Sequence, residues 1–266
     1  MKAHSGPTKT VRGGAGGTSS ATIPPPIESD ITGSPGREAR AAPGSGIYTP
    51  RVLLVYDALV LGFSNAYAWR CPSRLIVNLY NRNVSSCHLE VGVGTGYFLD
   101  RCRFPTPHPS LALLDVNHHS LVKAGRRLRR YAPVSYLNDV LQAPAHLGEA
   151  RFDSIGLNYV LHCLPGTMGD KAEALHHLAA VLNPGGVIFG ATILGRGAAH
   201  GHLARALLRL YNRMGVFDNA RDGQADLEHA LKAHFATVDV RVVGSVAIFI
   251  AVKIGQVDQP REGSRT

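Results

Sequence analysis

HLEVGVGTGYFLD, residues 88–100, decides how this chain folds. Its first residues, with β-branched Val91, read as a buried strand. The glycines Gly92, Gly94 and Gly96 follow at every second position, and Tyr97-Phe98-Leu99 continues as an apolar, helix-compatible run. A strand that passes through glycines into a helix is a nucleotide-binding turn. Glycine removes the Cβ that would hold a ligand away from the backbone, and the helix start offers unbonded N–H groups. Glu90 stands two residues before the first glycine. A dinucleotide fingerprint, G-x-G-x-x-G, would set its third glycine one place later and needs no acid at its start.

Outward from this turn, strands and helices alternate. Residues 48–83 read as two or three helices, with Pro72 as a first helical residue and Leu75, Ile76, Leu79 and Tyr80 as an apolar stripe. Helix 97–102, strand LALLDV ending at Asp115, a basic helix, strand 134–140 and strand FDSIGLN follow. Then come helix MGDKAEALHHLAAVL, the turn Asn183-Pro184-Gly185-Gly186, strand GVIFGATILG, and helices at 202–216 and 225–235. VDVRVV and VAIFIAVKI close the chain as a hairpin across Gly244-Ser245. The pattern predicts an α/β, Rossmann-like, doubly wound sheet of seven strands, mostly parallel, with an antiparallel C-terminal hairpin strand at its edge. Ligands in such sheets sit beyond the carboxyl ends of the strands, where the winding reverses. That rule gathers Gly92–Gly96, Asp115, Asn138/Asp139 and Asn158/Tyr159 on one rim.

Composition bounds the rest. Residues 1–46 of the 266 are dominated by Gly, Ser, Thr, Pro and Ala, too poor in large apolar side chains to offset ordering entropy. They read as a disordered tail, 47–255 as one domain whose residues 47–86 form a helical cover, and 256–266 as a flexible end. The formal charge is +9, and the tail's five bases against three acids leave about seven of it on the domain. The densest cluster, Lys123, Arg126, Arg127, Arg129 and Arg130, alternates with Leu121, Val122, Ala124 and Leu128. It reads as the solvated face of an amphipathic helix, without the interleaved aromatics of a nucleic-acid stacking platform. Cys71, Cys87, Cys102 and Cys163 show no metal-like spacing, so no metal is expected and the thiols are read as reduced, in the cytoplasm. No run approaches the 18 or more apolar residues of a membrane span.

Asp115 lies 19 residues after Gly96, where a carboxylate accepts from both hydroxyls of a ribose. Asn117 either shares that ribose or caps the next helix.

The pattern E-x-G-x-G-x-G at Glu90–Gly96 resembles the first motif of class I S-adenosylmethionine-dependent methyltransferases. Tyr48-Thr49-Pro50, FSNAYAWRCP (63–72), GVGTGY (92–97) and LHCLPG (161–166) together resemble a family of small bacterial and fungal methyltransferases, some of them encoded among secondary-metabolite genes. The resemblance covers 47–255 and does not account for 1–46. It implies S-adenosylmethionine as cofactor. Glu90, Gly92, Val93, Gly94, Thr95, Gly96 and Tyr97 would surround its methionyl part, the acid suiting the cationic amino group. Asp115, Val116 and Asn117 would hold the ribose, Asn138, Asp139 and Val140 the adenine, and Asn158 would complete the cofactor site. His162, just past the fourth strand, and Tyr56 are the candidate catalytic groups. The imidazole suits the task of a base for an oxygen nucleophile. Tyr48, Trp69 and Tyr159 are the candidate acceptor contacts.

The expected reaction is in-line methyl transfer to oxygen or nitrogen of a small molecule. Two alternatives stay open: a nucleic-acid methyltransferase, suggested by the charge, and a regulator that binds S-adenosylmethionine without turnover. Against the first, Asn158-Tyr159-Val160-Leu161 lacks the Asn/Asp-Pro-Pro-Tyr of base-amine methyltransferases, and no nucleic-acid-binding module is appended. The partner is expected to be a small acceptor, with no membrane.

Overall fold

The computed structural model describes residues 68–143, 147 and 149–255. The expectations for the N-terminal tail and most of the helical cover, for Tyr48 and Tyr56, and for residues 256–266 fall outside the described residues.

Helix α1 (Ser73–Asn83) opens the fold, with Pro72 as its N-cap rather than its first helical residue. Its buried Ile76, Leu79 and Tyr80 are the core of the expected stripe. Strand β1 (Cys87–Val91) leads into α2 (Tyr97–Arg101), and β2 (Ser110–Asp115) into α3 (His118–Arg127). Strands β3 (Val134–Leu137) and β4 (Phe152–Asn158), helix α4 (Met168–Val181) and strand β5 (Leu182–Ile193) complete the parallel part. Helices α5 (His202–Arg213) and α6 (Gln224–Lys232) precede β6 (Thr237–Val243) and β7 (Val246–Val252).

The seven strands form one sheet in the order β3-β2-β1-β4-β5-β7-β6. Strands β1 to β5 pair in parallel, and β7 runs antiparallel to both its neighbours. The antiparallel strand is therefore not at the edge: the hairpin folds back so that β7 enters beside β5 and β6 takes the edge. Burial explains the placement. VAIFIAV is apolar at every position and buried at five of seven, whereas β6 carries Asp239 and Arg241 and is nowhere fully buried.

Strand β5 starts four residues earlier than its apolar run. The turn glycines are drawn into its start, with Gly185 at φ +75° and a register shift opposite Phe152–Ser154. Strand β3 ends at Leu137, three residues short of the expectation, because Asn138 and Asp139 turn their side-chain oxygens onto backbone N–H groups.

Successive strand residues feed two cores. Leu89, Val91, Ile155 and Leu157 pack toward Leu175 and Leu178 of α4 and Leu227 and Leu231 of α6. Leu111, Leu113, Phe189 and Ala191 pack toward α1, α2, α3 and α5. Glu90 points to this second side, beneath Tyr80. The winding reverses between β1 and β4, so the rim above those two strands is where a ligand cavity must open.

Candidate active site

The glycine turn is held from both ends. Gly92 N–H donates to Leu114 O at 2.8 Å, and Gly96 N–H to Val93 O at 2.9 Å. All three glycines have positive φ (+66°, +54° and +72°), a region that side-chain-bearing residues rarely enter. A Cβ on Gly92 would run into Val160, and one on Gly96 would press on Leu128 and Ala124. A Cβ on Gly94 would meet nothing within 4 Å. Gly94 therefore borders open space.

Asp115 ends β2 beside that space. Its Oδ2 accepts from Gly94 N–H at 3.3 Å and its Oδ1 from Asn117 N–H at 2.8 Å. The residue is 8% exposed, and burial raises its carboxyl to about 6 despite these N–H donors. Val116 beside it exposes nearly half of its apolar surface. Asn117 takes the second of its two expected roles: its side-chain oxygen caps α3 at His119 N–H, 2.8 Å away. Asp139 accepts from Leu141 N–H, and its own N–H donates to Asn138 Oδ1. Val140 is buried below, with its carbonyl bonded to His177 Nδ1. Thr95 is buried and accepts from Arg127, while Tyr97 lies under the Arg101 guanidinium at 3.9 Å. Val93 is buried.

At the other end of the rim the acid of the glycine motif faces inward. Glu90 is 4% exposed; its Oε1 accepts from Tyr80 Oη at 2.5 Å and its Oε2 lies 3.1 Å from His88 Nε2. A carboxylate offers only acceptors, so that Nε2 carries the proton. His88 Nδ1 reaches Ser154 Oγ at 2.8 Å, and Ser154 Oγ bonds Ser85. Gly156 makes room: a Cβ there would collide with Glu90 Oε2. Both carboxylate oxygens thus already carry a bond from a side chain of the fold.

Asn158 ends β4. Its Nδ2 donates to Tyr80 Oη at 3.0 Å, and its Oδ1 is buried with no hydrogen-bond partner among the described residues. Tyr80 was legible only as core.

Tyr159 follows at φ +58°, a strained backbone for a residue with a Cβ. Its ring lies near Phe98 (6.4 Å between centroids) and edge-on to His162 (6.0 Å). Burial, with the Cys71 thiol beside it, holds its phenol well above the ordinary value.

His162 is buried against Phe217, with ring centroids 4.5 Å apart, and its Nδ1 accepts from Ile193 N–H at 3.4 Å. Burial, with the charge of Lys171 nearby, lowers it to about 3. The imidazole is therefore neutral near neutral pH, with its Nδ1 already engaged by a backbone donor. Lys171 itself is fully buried, bonded to Asp222 Oδ2 at 2.5 Å and to Asp218 O at 2.6 Å. Helix periodicity gave no sign of it, since a lysine at a core position looks like a break in the stripe.

Trp69, an expected acceptor contact, lies in the core. At 2% exposure its ring is enclosed in the core beside Phe217, leaving almost no surface for an acceptor. The four cysteines are unpaired; burial raises Cys163 to about 12. Within the basic cluster Arg130 pairs with Asp100 and Arg127 holds Thr95, so these bases serve the fold. Among the described residues no group of His, Cys, Asp or Glu is arranged to hold a metal, and no helix is long and apolar enough to cross a membrane.

A 3-2-1-4-5-7-6 sheet whose glycine turn, β2 acid and β4 amide meet on one rim defines a class I methyltransferase. Residues 89–188 match the model of a methyltransferase domain. The chain is 38% identical over 208 residues to demethylluteothin O-methyltransferase of Streptomyces thioluteus, covering 78% of this chain and 90% of that one. It is 39% identical over 212 residues to the physcion biosynthesis cluster O-methyltransferase of Aspergillus chevalieri, covering 79% and 95%. Among solved structures, the trans-methyltransferase CalH in complex with SAH shares the fold at a TM-score of 0.51 and 22% identity, covering 68% of this chain and 55% of that one. The chain belongs to the S-adenosylmethionine-dependent methyltransferase family of these relatives and is an enzyme of that class.

The residues fit the cofactor. Gly94 leaves a cradle that any side chain would fill, Asn158 Oδ1 is a buried acceptor awaiting a donor, and the Asp115 carboxylate stands where two hydroxyls would reach it. When bound, S-adenosylmethionine supplies a methyl group on an electron-poor sulfonium.

Proposed function

We propose that this enzyme methylates a hydroxyl oxygen of a small secondary metabolite, and that the hydroxyl is phenolic or enolic. The observation that carries the first part is the match, over more than three-quarters of this chain and nine-tenths of theirs, to O-methyltransferases named for such compounds. The acidity of the hydroxyl is supported by the setting of His162. Its ring is buried against Phe217, its Nδ1 is engaged by Ile193 N–H, and burial with the charge of Lys171 lowers its pKa, so it is a poor proton acceptor. A phenol or enol ionises readily enough to need no base, whereas an aliphatic alcohol does not.

In this reading Gly92–Gly96 wrap the methionyl part, Asp115 accepts from the ribose hydroxyls, and exposed Val116 and buried Val140 flank the adenine, whose amino group donates to Asp139. Asn158 serves the methionyl amino group. Tyr159, locked by its backbone, borders the acceptor, and His162 orients the acceptor oxygen as an N–H donor. Alignment of the oxygen with the methyl–sulfur axis, rather than proton transfer, then supplies most of the acceleration. We place the reaction in the cytoplasm, where four unpaired thiols are at home.

The test is an acceptor panel with isotopically labelled S-adenosylmethionine, read by mass spectrometry as methyl ether formed and S-adenosylhomocysteine released. Labelled ethers from phenols or enols, with aliphatic alcohols inert, are expected. Label found only in RNA, DNA or amines, or no turnover with any acceptor, overturns the proposal.

A further inference from the structure

We propose that Glu90 recognises the cofactor's ammonium without touching it, through a relay in which Tyr80 and Asn158 are the working parts; this rests on the S-adenosylmethionine reading above. The relay is set by hydrogen-bond direction. The Glu90 carboxylate offers no donor, so the Tyr80 hydroxyl must give its only proton to Oε1, 2.5 Å away. The lone pairs of Tyr80 Oη then demand a donor from the other side. Of the two ends of the Asn158 amide only the NH₂ satisfies that demand, and it does so at 3.0 Å. Tyr80 thereby fixes which way the amide faces. Nδ2 turns inward and Oδ1 outward, where it is buried and unpartnered among the described residues.

Register places that oxygen. Glu90 pairs with Gly156 and Val91 with Leu157 across β1 and β4, so the next step sets Asn158 beside Gly92, at the mouth of the glycine turn. An orphaned buried acceptor is unfavourable until a donor arrives. S-adenosylmethionine carries donors in three places. The ribose hydroxyls and the adenine amino group belong to the β2 and β3 end of the rim, with Asp115 and Asp139. The α-ammonium is the donor left for the β4 end. The charge of Glu90 lies two hydrogen bonds behind it, polarising phenol and amide in the same sense. Tyr80 stays a proton donor throughout, because burial and the Glu90 charge raise its phenol well above the ordinary value. Tyr80 is a positioning residue, reaching the ligand only through Asn158.

The experiment compares two ligands by calorimetric titration: S-adenosylhomocysteine and its deamino analogue, in which hydrogen replaces the α-amino group. Wild type is expected to prefer the first by about tenfold or more, the range of a hydrogen bond to a charged group. Tyr80→Phe deletes one oxygen and keeps the ring packed between Phe98 and Phe189. It should reduce that preference to less than about threefold, with the loss confined to S-adenosylhomocysteine. Asn158→Ala, at the rim, should do the same, and it carries the test if Tyr80→Phe does not fold. A preference that survives both substitutions, or an equal loss for both ligands, overturns the relay while leaving the cofactor reading intact. Wild type that binds both ligands equally also overturns it. Wild type that binds neither overturns the cofactor reading and the relay together.

Discussion

Glu90 and Asp115 are carboxylates on adjacent strands, both buried, and they have opposite surroundings. Glu90, facing Asn158 of β4 across Tyr80, bonds the side chains of Tyr80 and His88 with its two oxygens. Asp115, at the end of β2, meets backbone N–H donors alone among the described residues, and burial raises its carboxyl to about 6. The side chains of the fold bond the first acid directly, whereas the second meets backbone alone. A buried charge bonded by side chains can act on a ligand only through those partners, and one held by backbone alone is placed to meet a ligand itself.

The comparison breaks most sharply on deletion. Glu90→Ala strands the Tyr80 hydroxyl and the His88 N–H in the core. Loss of one partner from a buried charged network is expected to destabilise by about 3–5 kcal/mol, lowering the melting temperature by roughly 10 °C or more. A melting curve that moves by a degree or two would mean the network is dispensable.

Asp115 should respond in the other sense. Its folded-state pKa lies above the unfolded value of 3.8, at about 6, so its contribution to unliganded stability is full below 3.8 and is lost as pH rises through 6. The loss amounts to about 3 kcal/mol at most. Ribose hydroxyls prefer the ionised form, so affinity for S-adenosylhomocysteine should hold above pH 6 and fall by up to about tenfold per pH unit below it. Asp115→Asn should bind weakly at every pH and lack this slope. Titrations at pH 7.5, 6 and 5 for both proteins decide the matter, and a wild-type affinity flat across that range would detach Asp115 from the ligand.

The smallest effect belongs to the space between the two acids. Gly94→Ala meets no atom, so its stability cost is that of a positive φ alone, about 1 kcal/mol, while its methyl group enters the cradle. Affinity should fall more than tenfold, with melting shifted by about 2–4 °C. Unchanged affinity would show that the ligand passes elsewhere.

Much of this was legible from residues 88–100 and from the strand ends. The glycines, Asp115 and Asn158 announce themselves because a strand followed by Gly, Asp or Asn marks a rim. The hairpin at Gly244-Ser245 was equally plain. What periodicity reports is burial, and burial does not say who a polar atom bonds. Tyr80 looked like one more apolar residue of a stripe, since its link to Glu90 spans a helix end and a turn. The setting of His162 is hidden for the same reason: Phe217, Ile193 and Lys171, which enclose it, bond it and lower its pKa, are distant in sequence. Trp69 has the chemistry of a ligand contact, and its ring fills a core beside Phe217.

The insertion of β7 between β5 and β6 has a consequence in time. Strand β5 has one parallel neighbour, β4, and its other edge waits for residues 246–252. As the chain is synthesised, Val187–Ile193 must stand with that edge unpaired until some fifty further residues have emerged. An apolar open edge is what chaperones bind and what neighbouring nascent chains mispair with. The ligand rim can be assembled early, from β1, β2 and β4, but the sheet beneath it is sealed only when its last strand arrives.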